Sequence, residues 1–285
     1  MNRVASSMVK IALTIAAISL VPRLGTADSK YISSTLDKNY SSRDVVILQP
    51  DDPAPDNAVM VNSIAFGDGK TGDCTYQELM AYANSCAKQS DANIIKITGL
   101  KAINKGNIYD HLEATLYKAP NPKAYEREIV WNKDRKLTWD DFKGPVHTDL
   151  DLVAAATYCG FGFETNVLND SNKTLKILVY NSFYRDQSWA RDNQKSPEVL
   201  EHEQGHFDLC EVYTRLLRQR MSEATGTARE LKHKLEFIYD DIKKQYRARQ
   251  EAYEDQTEHG LITDAQHKWE KDIALQLQTL DKWSQ

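Results

Sequence analysis

The segment His202-Glu203-Gln204-Gly205-His206 constrains this chain more than any other. Two histidines four positions apart act together only on an α-helix, where one stands a turn above the other, roughly 6 Å along the axis. Both imidazoles can then reach one zinc ion at about 2.0–2.1 Å. Glu203 leans to the side of the pair, placed to act on a water rather than as a ligand. Zinc lowers the pKa of a water towards about 7, and a neighbouring carboxylate can accept the proton as the water attacks a carbonyl. The flanks supply the helix. Ser196-Pro197-Glu198 reads as an N-cap, a proline at the first helical position and an acid in the first turn. Leu209, Val212, Tyr213, Leu216 and Leu217 recur at helical spacing as far as Met221. The expectation is a helix over 197–222 with His202 and His206 as metal ligands and Glu203 as the catalytic carboxylate.

The start of the chain bears on its compartment. Arg3 and Lys10 precede an apolar run from Ile11 to Val21, and Gly25-Thr26-Ala27 is a small-residue cleavage site. This is the pattern of a secretory signal peptide over residues 1–27, because a membrane span needs about 20 apolar residues. Cleavage after Ala27 removes Arg3, Lys10 and Arg23 and no acid, taking the net charge from −5 to −8. That balance argues against nucleic acid as a partner. No later segment is apolar enough to span a bilayer, so the expected product is secreted or periplasmic. Four cysteines then face an oxidising compartment. Cys74 and Cys86 bracket a predicted helix and could bridge only if it broke, whereas Cys159 and Cys210 could staple strand to helix or stay as buried thiols.

The pattern along the chain is α+β. Residues 28–44 read as a polar, extended lead-in. Up to residue 119 there follows a small α/β module, with strands at Val45–Leu48, Val59–Phe66, Asn93–Thr98 and His111–Tyr117 and an amphipathic helix over Thr75–Gln89. His111 stands alone there and reads as structural. Residues 120–135 form a linker opening with Ala119-Pro120-Asn121-Pro122. The second domain, 136–285, is a small sheet followed by three helices: the motif helix, a long one from about Arg229 to Glu254, and a last one from Thr263 with Gln266 completing a capping box. The strand at Leu175–Tyr184 is the expected edge for an extended peptide. Trp189 is either a cleft wall or core.

Catalytic zinc usually takes three protein ligands. Besides His147, His233 and His267, His259 is the expected third, because Gly260 turns the chain beside it. A straight hairpin about Gly226 would instead bring Asp240–Lys244 level with the motif, leaving Asp240 or Asp241 as the alternative. The oxyanion stabiliser is open between Tyr184, Tyr253 and His267.

Leu137-Thr138-Trp139-Asp140-Asp141-Phe142, Ala154-Ala155-Ala156-Thr157, Ser188-Trp189, Glu201 to Asp208 and Thr257-Glu258-His259-Gly260 together resemble a family of bacterial proteins. That family is catalogued as a domain of unknown function and regarded as secreted zinc-dependent proteases. The resemblance spans about residues 130–275. It implies a zincin-like fold for the second domain, zinc on His202, His206 and His259, Glu203 as acid/base, and a protein or peptide substrate. Residues 28–119 would position the enzyme or act as a pro-segment. The competing expectation is a non-catalytic, zinc-stabilised envelope protein that binds a partner; a fourth protein ligand such as Cys210 or Asp208 would mark it.

Overall fold

The structure is a computed structural model that describes residues 32–36, 45–67, 74–102, 108–147, 153–165 and 174–284. The segment 1–27, expected to be a signal peptide, lies outside the described residues. In chain order the elements are β1 (Ile32–Leu36), β2 (Val46–Leu48), β3 (Val59–Phe66), β4 (Cys74–Thr75), α1 (Tyr76–Gln89), β5 (Ile94–Ala102) and β6 (Ile108–Lys118). There follow β7 (Glu128–Ile129), β8 (Ala155–Ala156), β9 (Cys159–Thr165), β10 (Thr174–Tyr184), β11 (Trp189–Ala190), α2 (Pro197–Ser222), β12 (Thr225–Gly226), α3 (Ala228–Thr257) and α4 (Thr263–Thr279). The architecture is α+β, and no helix of the described residues is long and apolar enough to cross a membrane.

The first sheet has the order β2-β5-β6-β3, with β4 also paired to β6. Helix α1 lies on it through Leu79, Ala83 and Ala87, spaced four apart on one face and sealed against Ile95, Ile97, Leu112 and Leu116. His111 is structural, bonded to the Gly67 carbonyl and to Glu113.

The second sheet has the order β12-β1-β10-β7, with β9 on β10 as well. Residues 159, 161 and 163 of β9 and 175, 177, 179 and 183 of β10 alternate onto one face. There they pack against Phe207, Cys210, Leu217 and Met221 of α2 and Leu231, Leu235, Tyr239, Ile242 and Tyr246 of α3. Helix α4 closes on α2 and α3 through Trp269 and Ile273, which meet Leu209, Val212 and Tyr253.

Three expectations change. The lead-in is extended as expected but belongs to the second sheet, because Ile32–Leu36 forms β1, parallel to β10 and antiparallel to β12. Residues 120–135 contain β7, which pairs with β10 at Phe183 and Tyr184, so this stretch also belongs to the second sheet. Strand β10 is not a substrate edge: β9 occupies one side from Ile177 to Phe183, and β1 and β7 occupy the ends of the other.

Candidate metal centre

Helix α2 starts as its sequence dictates. The Ser196 hydroxyl accepts the Val199 N–H at 3.2 Å, and Pro197 fills the first turn. His202 and His206 consequently share one face, and their Nε2 atoms are 3.2 Å apart. The partner that meets them is Glu254 on α3. Its Oε2 lies 3.2 Å from His202 Nε2 and its Oε1 3.2 Å from His206 Nε2. Among the described residues these three form the one group whose ligand atoms lie within 4.8 Å of one another.

The outer nitrogen of each ring meets a glutamine. Gln250 donates Nε2 to the His206 carbonyl at 3.0 Å, and a carbonyl can only accept. Its Oε1 is therefore the atom 2.6 Å from His206 Nδ1, and that nitrogen carries the hydrogen. Gln266 donates Nε2 to the Glu270 carboxylate at 2.9 Å, which turns its Oε1 to His202 Nδ1 at 3.2 Å. With its outer nitrogen held by a glutamine, each ring directs Nε2 to the centre, where a carboxylate waits. Three converging acceptors could hold a metal ion, and an acceptor on each outer nitrogen fixes tautomer and tilt as in metal-bound histidines.

The protonation behaviour agrees. Burial works to lower the His206 pKa, but the Glu254 carboxylate against it prevails and holds it at about 10. Burial would raise Glu254, yet the charge on His206 and hydrogen bonds from His202, His206 and His259 hold its carboxyl well below the usual range. The Glu254 carboxylate thus favours a proton on His206.

Glu203 is 4% exposed, and its Oε2 is buried without a hydrogen-bond partner. A buried carboxylate oxygen left bare is costly unless something from solution fills the space before it. Thr157, just past β8, donates to the Glu203 backbone carbonyl at 3.2 Å, so the β8–β11 ribbon lies along this side of α2.

His259 stands outside the three-ligand group. Its side chain is 68% exposed, and its Nδ1 lies 2.8 Å from Glu254 Oε2, so it borders the centre through Glu254. The turn that carries it has three successive left-handed residues: Glu258 (φ 47°), His259 (φ 59°) and Gly260 (φ 83°). Such backbone is costly at the two non-glycine positions and persists only where packing holds it. Here the holding surface is His202, because a Cβ on Gly260 would sit 3.1 Å from the His202 Cβ.

The aspartates at 240 and 241 are not at the centre either. Asp241 pairs with Arg220, towards the far end of α2. The helices meet with His206 opposite Gln250 and His202 opposite Glu254, one helical turn beyond the Tyr246 and Gln250 that equal counting from Gly226 reaches, and beyond the expected Asp240–Lys244 level. The connection first joins the sheet as β12, so the helices are not a hairpin closed at that glycine.

Other expectations resolve in the same way. Gln266 caps nothing, since α4 has no side-chain cap, and it holds His202 instead. Tyr253 is buried behind the motif helix, stacked on His202 at 4.7 Å with its hydroxyl donated to the His202 carbonyl, and so is turned away from any substrate. Gly205 makes that packing possible, because a Cβ there would collide with the Tyr253 hydroxyl. His267 is exposed on α4, and Trp189 is wholly buried and belongs to the core. Asp208 is taken by Trp131, Gln204 and Lys136.

A family model described as "Bacterial protein of unknown function (DUF922)" matches residues 185–260, from the end of β10 through His259 and Gly260. The match contains His202, Glu203, His206, Gln250 and Glu254 and stops short of Gln266. No curated protein matches the chain, and no solved structure does. What the chain is similar to is therefore a bacterial family without an assigned activity, over the stretch that holds His202, His206 and Glu254.

Proposed function

We propose that the chain is a secreted zinc-dependent peptidase with a zincin-like second domain. The observation that carries the proposal is a fixed set of three acceptors, His202, His206 and Glu254, beside a buried Glu203 oxygen that has no protein partner. Two imidazoles and one carboxylate are a donor set suited to catalytic zinc, which keeps a further position for water. Zinc bound there would supply Lewis acidity, acidifying a water and polarising a carbonyl. Gln250 and Gln266 hold the ligand tautomers, and His259 orients Glu254. Glu203 takes the proton of the attacking water and returns it to the departing amine.

A purely structural zinc site is less well supported, because it requires a fourth protein ligand. Asp208 is engaged by three donors, and Cys210 faces Cys159. A structural site also leaves a bare, buried glutamate without purpose. The test pairs metal analysis with a Glu203→Gln variant assayed on unfolded protein substrates. Retained zinc with cleavage reduced by at least about 100-fold is expected. Wild-type cleavage by the variant would remove Glu203 from the mechanism, and a wild-type chain that binds zinc without cleaving would favour the structural reading.

A further inference from the structure

Cys210 lies one turn beyond His206 on α2, and Cys159 opens β9; both are buried. Cys159 Sγ is 3.6 Å from the His206 backbone carbonyl and 3.4 Å from the Tyr246 hydroxyl. In an α-helix that carbonyl accepts the amide N–H of the residue four positions on, which here is Cys210. The contact therefore sets Cys159 beside Cys210, both of them free thiols in the core. Their elements are independently fixed. Strand β9 is paired with β10 along its length, and α2 packs on the same sheet through Phe207 and Leu217. Neither thiol belongs to the metal-ligand group, and Cys86 sits apart on α1.

We propose that Cys159 and Cys210 are a cystine site, a disulfide that fastens the motif helix to β9 one turn past His206. Each thiol gives up its proton and one electron, and the pair of electrons reduces one small disulfide, such as glutathione disulfide, to two thiols. Exchange passes through a mixed disulfide on one cysteine, which the other displaces. Because both sulfurs are sealed in the finished core, exchange takes place while the chain folds, before β9 and α2 close on each other. The crosslink encloses a loop of about fifty residues and acts by restricting the unfolded chain. It does not depend on the peptidase reading, since it requires only an oxidising compartment.

The test uses the full chain, reduced and unfolded, then refolded in a mixture of glutathione and its disulfide. Free thiols are then alkylated in denaturant and the protein is digested without reductant. A peptide pair joining Cys159 to Cys210 is expected, in a protein about 2 Da lighter than the reduced chain. Reduction should lower the melting temperature by roughly 10 °C, and a C159S/C210S double variant should show no such response to reductant. Full alkylation of both cysteines after oxidative refolding, or a linkage of either to Cys74 or Cys86, overturns the proposal. The wild-type peptide map decides the matter even if the double variant fails to fold.

Discussion

Glu254 and His259 touch, yet their removal should have different consequences. Glu254→Ala deletes a group that faces both imidazoles, and the variant should purify without zinc. His259→Ala removes only a partner of Glu254, and the loss expected of such an outer contact is about 10–100-fold in zinc affinity. Competition titrations of the two variants check this; equal loss would make His259 a ligand after all. Zinc must also displace the proton held on His206, whose pKa stands at about 10, so binding at neutral pH should release about one proton and weaken as pH falls. Calorimetry in buffers of different ionisation enthalpy reads that number directly. His202, Glu203 and His206 were legible in the sequence because their spacing has meaning only on a capped helix. Glu254 was not, being one of many acids on α3, while a rarer histidine stood five residues on. A usable signal existed: the stripe Leu231, Leu235, Ile242, Tyr246 continues into Gln250 and Glu254, so a buried helix face turns polar where it reaches the motif.

At the scale of elements, α2 is anchored at its other end by buried charge. Glu211 accepts from Arg215 at 2.8 Å, from Arg218 at 3.0 Å and from Asn181 of β10 at 2.7 Å. Arg215 and Arg218 in turn donate to the Leu277 and Trp283 carbonyls, tying in the end of α4 and the residues after it. Glu211→Ala leaves two guanidinium groups buried without their anion and should cost about 3–5 kcal/mol, read by urea denaturation. The extent of α2 followed from its cap and apolar spacing. The level of α3 did not: equal counting from Gly226 reaches Tyr246 and Gln250, one turn short of Gln250 and Glu254, and no local pattern announces the two-residue strand in the connection. Gln266 misled for a related reason: its place three residues into a helix fits a cap, and only the fold shows that the side chain points back to His202.

Across the whole molecule, the division of the chain in sequence is not its division in space. β1 comes from the residues ahead of the first sheet, yet it lies between β12 and β10 in the second. Residues 28–119 are therefore a poor detachable pro-segment. A chain of residues 120–285 lacks β1 and should melt lower and hold zinc less well than one of residues 28–285, as thermal unfolding and metal analysis would show. Equal stability and activity of the two would detach β1 from the function. The α+β class was legible because strand and helix periodicities differ; the crossing of β1 was not, because a five-residue polar strand carries little pattern. The same crossing bears on timing. β1 leaves the ribosome early but has no neighbour until β10 is made about 140 residues later, and β12 follows at about 190. Pairing at such long range closes loops slowly. The sheet on which α2 rests is thus finished only after most of the polypeptide exists, so a nascent chain of this protein should not yet hold His202, His206 and Glu254 together.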